Sequence, residues 1–238
     1  MTSLQSKEQS PRTMMRIPSL SPPRAGIFFA CDNAATVVAT MARVAPGIHA
    51  IILAAGQAQR FGRVKLLEEF DGEPLIRHAL DIAQSVFHDN SWLVTGHSAK
   101  DIEDAARSLA GHVLFNPEYA QGIGSSIACG ATACSSRADG IVIMLADQPL
   151  INRSHLGNLV RRWSGAADAI IATEFAGVLG PPVLFGRDHF AELCALRGDT
   201  GAKQILETHM DAVDSVRFDP AAVDIDTPED LARLVSPD

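Results

Sequence analysis

The chain has 238 residues, 47% of them hydrophobic and 20% charged, with a net charge of −8 and an isoelectric point near 5.4. That length buries a full core without disulfide or metal staples, and its longest apolar runs fall far short of the ~20 residues of a membrane span. The acidic balance excludes a general nucleic-acid or membrane-surface binder, but a few local bases would suffice for a phosphate ligand.

Residues 1–46 differ from the remainder. They hold the Pro-, Ser- and Arg-rich run PRTMMRIPSLSPPRAG, with five basic residues and two acidic ones, so they carry +3 and leave −11 on the rest. This extension is expected to be partly disordered, with at most a loose strand or helix over Ala25–Ala45. It lacks the continuous apolar stretch of a secretory signal. From residue 47 to 238 one domain is expected. IHAIILAA is a buried strand ending at a glycine. Pro74 opens the helix PLIRHALDIAQSVF, whose Leu75, Ala79 and Ile82 share a face with Ile76, Leu80, Ala83 and Phe87 beside them. SWLVTG reads as a strand, KDIEDAARSLA as a helix and HVLF as a strand. SSIACGATACSS reads as a helix of small residues capped by Ser125 or Ser126. IVIMLAD is the clearest core strand. A helix over Ser154–Trp163, the strands AIIAT and PPVLF, helices over Arg187–Leu196 and Gly201–Thr208, and the strand VDSVRF follow. Thr227 caps a last helix that begins PED. Strands alternating with helices predict a largely parallel, Rossmann-like sheet covered on both faces, a three-layer α/β/α fold.

In such sheets ligands bind beyond the carboxyl ends of the strands. The first such loop, IILAAGQAQRFGRVK, carries Leu53, Ala54, Ala55 and Gly56, with Arg60 and Lys65 behind. Small residues let the backbone approach a triphosphate, and the two bases supply charge where it would lie. The loop is neither a Walker A sequence nor GxGxxG, and an ordinary strand–turn is an equal reading of these residues. Asp147 ends the most apolar strand, where packing gives no reason for a carboxylate. It could hold Mg²⁺, though a loop cap is the alternative. NPEYAQGIGSS offers Asn116, Gly122 and Ser125 at a helix start. LGPPVLF, with Gly180 and Pro181, and RGDTGAKQIL, with Asp199 and Gly201, could wall a pocket or be plain turns. Asp224 or Asp226 in DIDTPEDL could add a metal ligand. His97 reads as a loop residue rather than a base. Cys31, Cys129, Cys134 and Cys194 form no CxxC pair and suit reduced thiols in a cytoplasmic protein. No two of the eight histidines make HxxxH or HxH, so no histidine metal site is expected.

LAAGQAQRFGRVKLL, LADQPLI about 80 residues on, NPEYAQGIGSSI, GPPVLF, GDTGA and DIDTPEDL together resemble, in order, the MobA-like nucleotidyltransferases, which attach a nucleotide to the pterin of the molybdenum cofactor. The likeness spans roughly residues 48 to 236 and implies the nucleotide-diphospho-sugar transferase type of sheet. Ala55 stands where guanylyltransferases of this family carry glycine, so the closest resemblance is to the cytidylyltransferase branch. It implies that Leu53, Ala54, Ala55, Gly56, Asn116, Gly122 and Ser125 face the nucleotide and that Arg60 and Lys65 bind its triphosphate. Catalysis would fall to Lys65, Arg60 and Asp147. Asp147 and Asp226 would hold Mg²⁺, or Mn²⁺, and Gly180, Pro181, Asp199 and Gly201 would border the pterin. The implied partners are CTP, the molybdenum-bound pterin and a recipient molybdoenzyme. Guanylyl transfer, nucleotidyl transfer to a sugar or polyol phosphate, and a non-catalytic cofactor carrier are the rival readings.

Overall fold

The computed structural model describes residues 47–57 and 61–235. The expectations for residues 1–46 and for Arg60 lie outside the described residues. Seven strands form one sheet in the order β5-β4-β1-β6-β8-β7-β9. They are β1 (Ile48–Ala54), β4 (Ser91–Thr95), β5 (His112–Phe115), β6 (Gly140–Leu145), β7 (Ile170–Phe175), β8 (Val178–Gly186) and β9 (Val213–Arg217). β5, β4, β1 and β6 run parallel, as do β7 and β9. β8 alone is reversed, antiparallel to both β6 and β7. Its reversal is local chemistry. Ala176 and Gly177, at φ 48° and 76°, make a two-residue hairpin turn that sends the chain straight back along β7. PPVLF is therefore the second half of a longer hairpin strand rather than the end of a crossover.

Alternation along the strands sorts the core into two layers. Ile48, Ala50, Ile52 and Ala54 of β1 face a cluster built with α1 (Leu75–Phe87), α2 (Ala99–Ala106) and α4 (Arg153–Arg162). Ile51 and Leu53 face the other cluster, built with α3 (Ile123–Cys134), α5 (Phe190–Ala195) and α6 (Ala202–Thr208). α1 buries Leu75, Ile76, Ala79, Leu80, Ala83, Val86 and Phe87, the face its periodicity marked out except that Val86 joins it and Ile82 is only half-buried. The result is the expected three-layer α/β/α sheet.

Three local expectations change. α3 starts at Ile123 with Gly122 as its N-cap, so neither Ser125 nor Ser126 caps it. Ser125 instead shares its hydroxyl proton between the carbonyls of Glu118 and Gly122, at 2.9 and 2.8 Å. The Arg187–Leu196 helix is a 3₁₀ turn over Arg187–His189 followed by the short α5. A small hairpin, β2 (Glu69–Phe70) and β3 (Glu73–Pro74), turns on Asp71-Gly72 at φ 50° and 82°. That Asp-Gly signal was legible but masked by its short flanks. The last helix, α7 (Pro228–Val235), opens as expected: Thr227 Oγ1 accepts from the Asp230 amide, and the Asp230 carboxylate accepts from the Thr227 amide at 2.9 Å. No helix among the described residues is long and apolar enough to cross a membrane.

Candidate active site

The carboxyl ends of β1, β4 and β6 open onto a cavity of about 440 Å³, within the range of small-ligand pockets. Its lining includes Leu53, Ala54, Ala55 and Gly56 from the first loop, Lys65, Gly122, Asp147 and Asp226. A Cβ built on Gly56 would meet nothing within 4 Å, so the backbone there faces open space and a ligand can approach it. Lys65 sits in a 3₁₀ turn, Lys65–Leu67, pinned by buried Leu66, which leaves the Lys65 side chain to cross the cavity floor. Its Nζ lies 2.6 Å from Asp147 Oδ2 and 3.2 Å from Asp226 Oδ1.

Asp226 reaches this place from 79 residues beyond Asp147 because the C-terminal segment is tied to the end of β6. Ile225 N donates to the Asp147 carbonyl at 3.0 Å, and the Ile225 side chain is buried with Phe61, Phe70 and Leu75. Gln148, itself buried, donates to the Ala221 carbonyl at 3.1 Å. In LADQPL the aspartate therefore serves the cavity and the glutamine serves the docking.

The floor is rich in negative charge. Burial alone pulls the Lys65 ammonium down, but Asp147 and then Asp226 outweigh it and hold it above the ordinary lysine value. Asp224 keeps solvent access, yet the atoms crowded around it, then the Asp147 charge, push its carboxyl up to about 6. Three carboxylates thus face one ammonium. Asp147 Oδ1 is buried and receives no hydrogen bond, a cost of roughly 1–3 kcal/mol unless a cation meets it. Hard oxygen donors with an orphaned lone pair fit a divalent ion such as Mg²⁺ or Mn²⁺. Asp147 and Asp226 would hold it.

Asn116 and Ser125 do not line the cavity. Asn116 is buried, and its Nδ2 donates to Ser125 Oγ and Ser126 Oγ at 3.0 Å each, while its Oδ1 accepts from the Glu118 amide. They shape the loop that carries Gly122. At φ 111° Gly122 is in the region that favours glycine, and a Cβ there would stand 2.4 Å from the Gly198 carbonyl. Asp199 and Gly201 therefore lie behind the wall formed by Gly122 and Ile123, with Gly124 N bonded to Gly198 O at 2.9 Å. Gly180, in β8, packs against the Phe175 ring of β7, and neither it nor Pro181 lines the cavity. Val64, Tyr119 and Ser126, which sequence reasoning gave no part in the site, line it, as do Gln57 of the first loop and His97, read from the sequence as a plain loop residue. The available signals were the single tyrosine of the chain inside the third loop and the histidine two residues beyond β4. Gly96 lets these walls meet, since a Cβ there would come within 2.5 Å of the Tyr119 Cβ and 2.9 Å of the Ala55 methyl.

A strand-end loop of small residues, a basic residue held between two carboxylates and a metal-fit floor define a nucleotidyltransferase. The chain belongs to the MobA-like NTP transferase domain family, whose model matches residues 50–213. It is 30% identical over 205 residues to the purine catabolism protein PucB of Bacillus subtilis (strain 168), covering 78% of this chain and 94% of PucB. It is 32% identical over 178 residues to the bifunctional protein GlmU of Acidovorax ebreus (strain TPSY), covering 70% of this chain and spanning 34% of GlmU. Among solved structures it is similar to Rv0371c of Mycobacterium tuberculosis H37Rv, at 29% identity and TM-score 0.69 over 80% of this chain and 98% of that one. Another structure of Rv0371c is a complex with manganese, at 27% identity and TM-score 0.65 over 79% of this chain and 98% of that one.

Proposed function

We propose that the protein is a cytoplasmic molybdenum cofactor cytidylyltransferase, transferring CMP from CTP to the terminal phosphate of the molybdenum-bound pterin and releasing diphosphate. The observation that carries the transfer chemistry is Lys65 Nζ held between Asp147 and Asp226 at the foot of the Leu53–Gly56 loop. The pterin acceptor rests on the ordered motifs NPEYAQGIGSS, GPPVLF, GDTGA and DIDTPEDL. The choice of CTP rests on Ala55, which lines the cavity and stands where guanylyltransferases of the family carry glycine.

In this reading an oxygen of the acceptor phosphate attacks the α-phosphorus of CTP. A new P–O bond forms, the bond to the β-phosphate bridging oxygen breaks, and diphosphate leaves with that electron pair. The nucleophile is already anionic, so no protein base is needed. Lys65 neutralises charge on the triphosphate, with Arg60 on the same loop as its partner, and the loop amides orient the phosphates. A bound Mg²⁺ supplies charge neutralisation on the transferring and leaving oxygens. Asp147 and Asp226 would hold that ion, and Asp199 and Gly201, behind the wall of Gly122 and Ile123, would border the pterin. A pure cofactor carrier would have little need of Lys65 and Asp147 together.

The test is diphosphate release with CTP, GTP and UTP, each with and without the molybdenum-bound pterin. Release with CTP that depends on the pterin supports the reading. A preference for GTP assigns guanylyl transfer, and release only with a sugar or polyol phosphate removes the pterin. Pterin binding without any release leaves a carrier.

A further inference from the structure

The opposite end of the sheet holds a second cluster that the transfer reaction does not use. His189 ends the 3₁₀ turn after β8, Glu192 lies in α5, and His209 directly follows α6. One donor atom from each lies within 4.8 Å of the others. Glu192 Oε1 is 3.4 Å from His189 Nδ1 and 3.0 Å from His209 Nε2. Ligand atoms around a tetrahedral zinc ion stand about 3.3 Å apart, given zinc–ligand distances of about 2.0 Å. Two of the three edges already match that figure within a few tenths of an ångström.

Proton placement makes the geometry specific. His189 is buried, and its Nε2 lies 2.9 Å from the Asp168 backbone carbonyl, which can only accept. In the neutral ring the proton therefore sits on Nε2, and Nδ1 presents a bare lone pair towards Glu192 Oε1. Two acceptors then face each other at 3.4 Å, an arrangement that a cation between them satisfies. An imidazole whose far nitrogen donates to a backbone carbonyl is also the usual orientation of a metal-ligating histidine.

We propose that His189, Glu192 and His209 form a binding site for one first-row divalent transition ion, with Zn²⁺ the best fit to two imidazoles and a carboxylate. The ion joins the start of α5 to the end of α6. Between these helices runs the Arg197–Gly201 turn, whose Gly198 carbonyl accepts from Gly124 N beside the nucleotide cavity. The clip thus closes the open end of a helical hairpin whose tip props the Gly122–Gly124 wall of the cavity. The histidines come from two elements 20 residues apart, which is why no HxH or HxxxH pattern announces them.

The test uses the full chain stripped of metal, titrated with Zn²⁺ against a chromophoric chelator at pH 7.5, and then with Co²⁺ to read the d–d spectrum. One tight equivalent is expected in the wild type and in Asp147→Asn, which disables the catalytic carboxylates. His209→Ala is expected to weaken it at least tenfold, the lower bound for losing even an outer partner of a metal site, and to abolish the imidazole-type Co²⁺ bands. His209 is partly exposed at a helix end, so this variant should keep its fold, checked by circular dichroism. Glu192→Gln gives a second, milder reading in the same direction. Equal Zn²⁺ binding in His209→Ala and wild type would overturn the proposal, as would loss of the tight equivalent in Asp147→Asn or absence of any tight equivalent in the wild type.

Discussion

Asp147→Asn removes one charge and keeps the shape of the side chain. In the wild type, Asp147 Oδ2 and Lys65 Nζ are 2.6 Å apart, with side chains 21% and 14% exposed. At an effective dielectric constant of about 20, the gross attraction across that distance is about 6 kcal/mol. Most of it is offset by the desolvation of both groups. Lys65 also keeps Asp226 at 3.2 Å, on a side chain that is 52% exposed and so more weakly coupled. The net stability loss should therefore be about 1–2 kcal/mol, lowering Tm by about 5 °C in a domain of this size. Turnover should suffer far more, because the same carboxylate would hold the ion through Oδ1 while it aims Lys65 through Oδ2. A loss of about 100- to 1,000-fold in kcat is expected, the usual effect of deleting one group that stabilises transition-state charge. Thermal melting by circular dichroism and diphosphate release across a Mg²⁺ titration measure the two effects separately. If the variant melts normally and retains more than about a tenth of wild-type turnover at every Mg²⁺ concentration, Asp147 is not a ligand and the reasoning fails.

Lys65→Ala should weaken CTP binding by about 10- to 100-fold, the value of a lost charge-assisted contact, and an unchanged calorimetric titration would count against it. Ala55→Gly should lower the CTP-over-GTP ratio of kcat/KM by about tenfold, since one methyl group is worth about that in discrimination; competing labelled nucleotides read it directly. Gly122→Ala should cost about 1–3 kcal/mol and impair nucleotide binding, because its Cβ meets the Gly198 carbonyl at a backbone angle that favours glycine. His155 is buried between α4 and β7, with Nε2 2.8 Å from Thr173 Oγ1 and its ring stacked on Phe218, and burial lowers its value to about 4. The unfolded chain binds that proton below about 6.5 and the folded chain does not, so this stability is fully present above about pH 6.5 and is lost as pH falls towards 4. Urea unfolding should show about 2 kcal/mol less stability from this group at pH 5 than at pH 7.5, and His155→Gln should flatten the difference.

The sequence by itself determined the layers and marked out the loop and the strand-end carboxylate that meet at the cavity. Apolar runs such as IVIMLAD, short and closed by turn residues, read as buried strands, and the amphipathic α1 face from Leu75 to Phe87 supplies their cover. A carboxylate at the end of the most apolar strand had no packing reason to be there. Reversal of β8 was written in Ala176-Gly177 but needed the paired register to be seen, because period-two patterning is blind to strand direction. Asp226 could be suspected from DIDTPEDL, yet only tertiary contact joined it to Lys65, through Ile225 docking on Asp147. The same holds for Asn116 and Ser125, polar residues with the right chemistry for a ligand whose hydrogen bonds the folded loop consumes. Local signals propagate along the chain over a few residues, whereas a site and its charge balance are sums over side chains that only folding brings within a few ångströms. That is why the small-residue loop from Leu53 to Lys65 was legible in the sequence, while the partners of its lysine and the His189–Glu192–His209 cluster were decided in three dimensions.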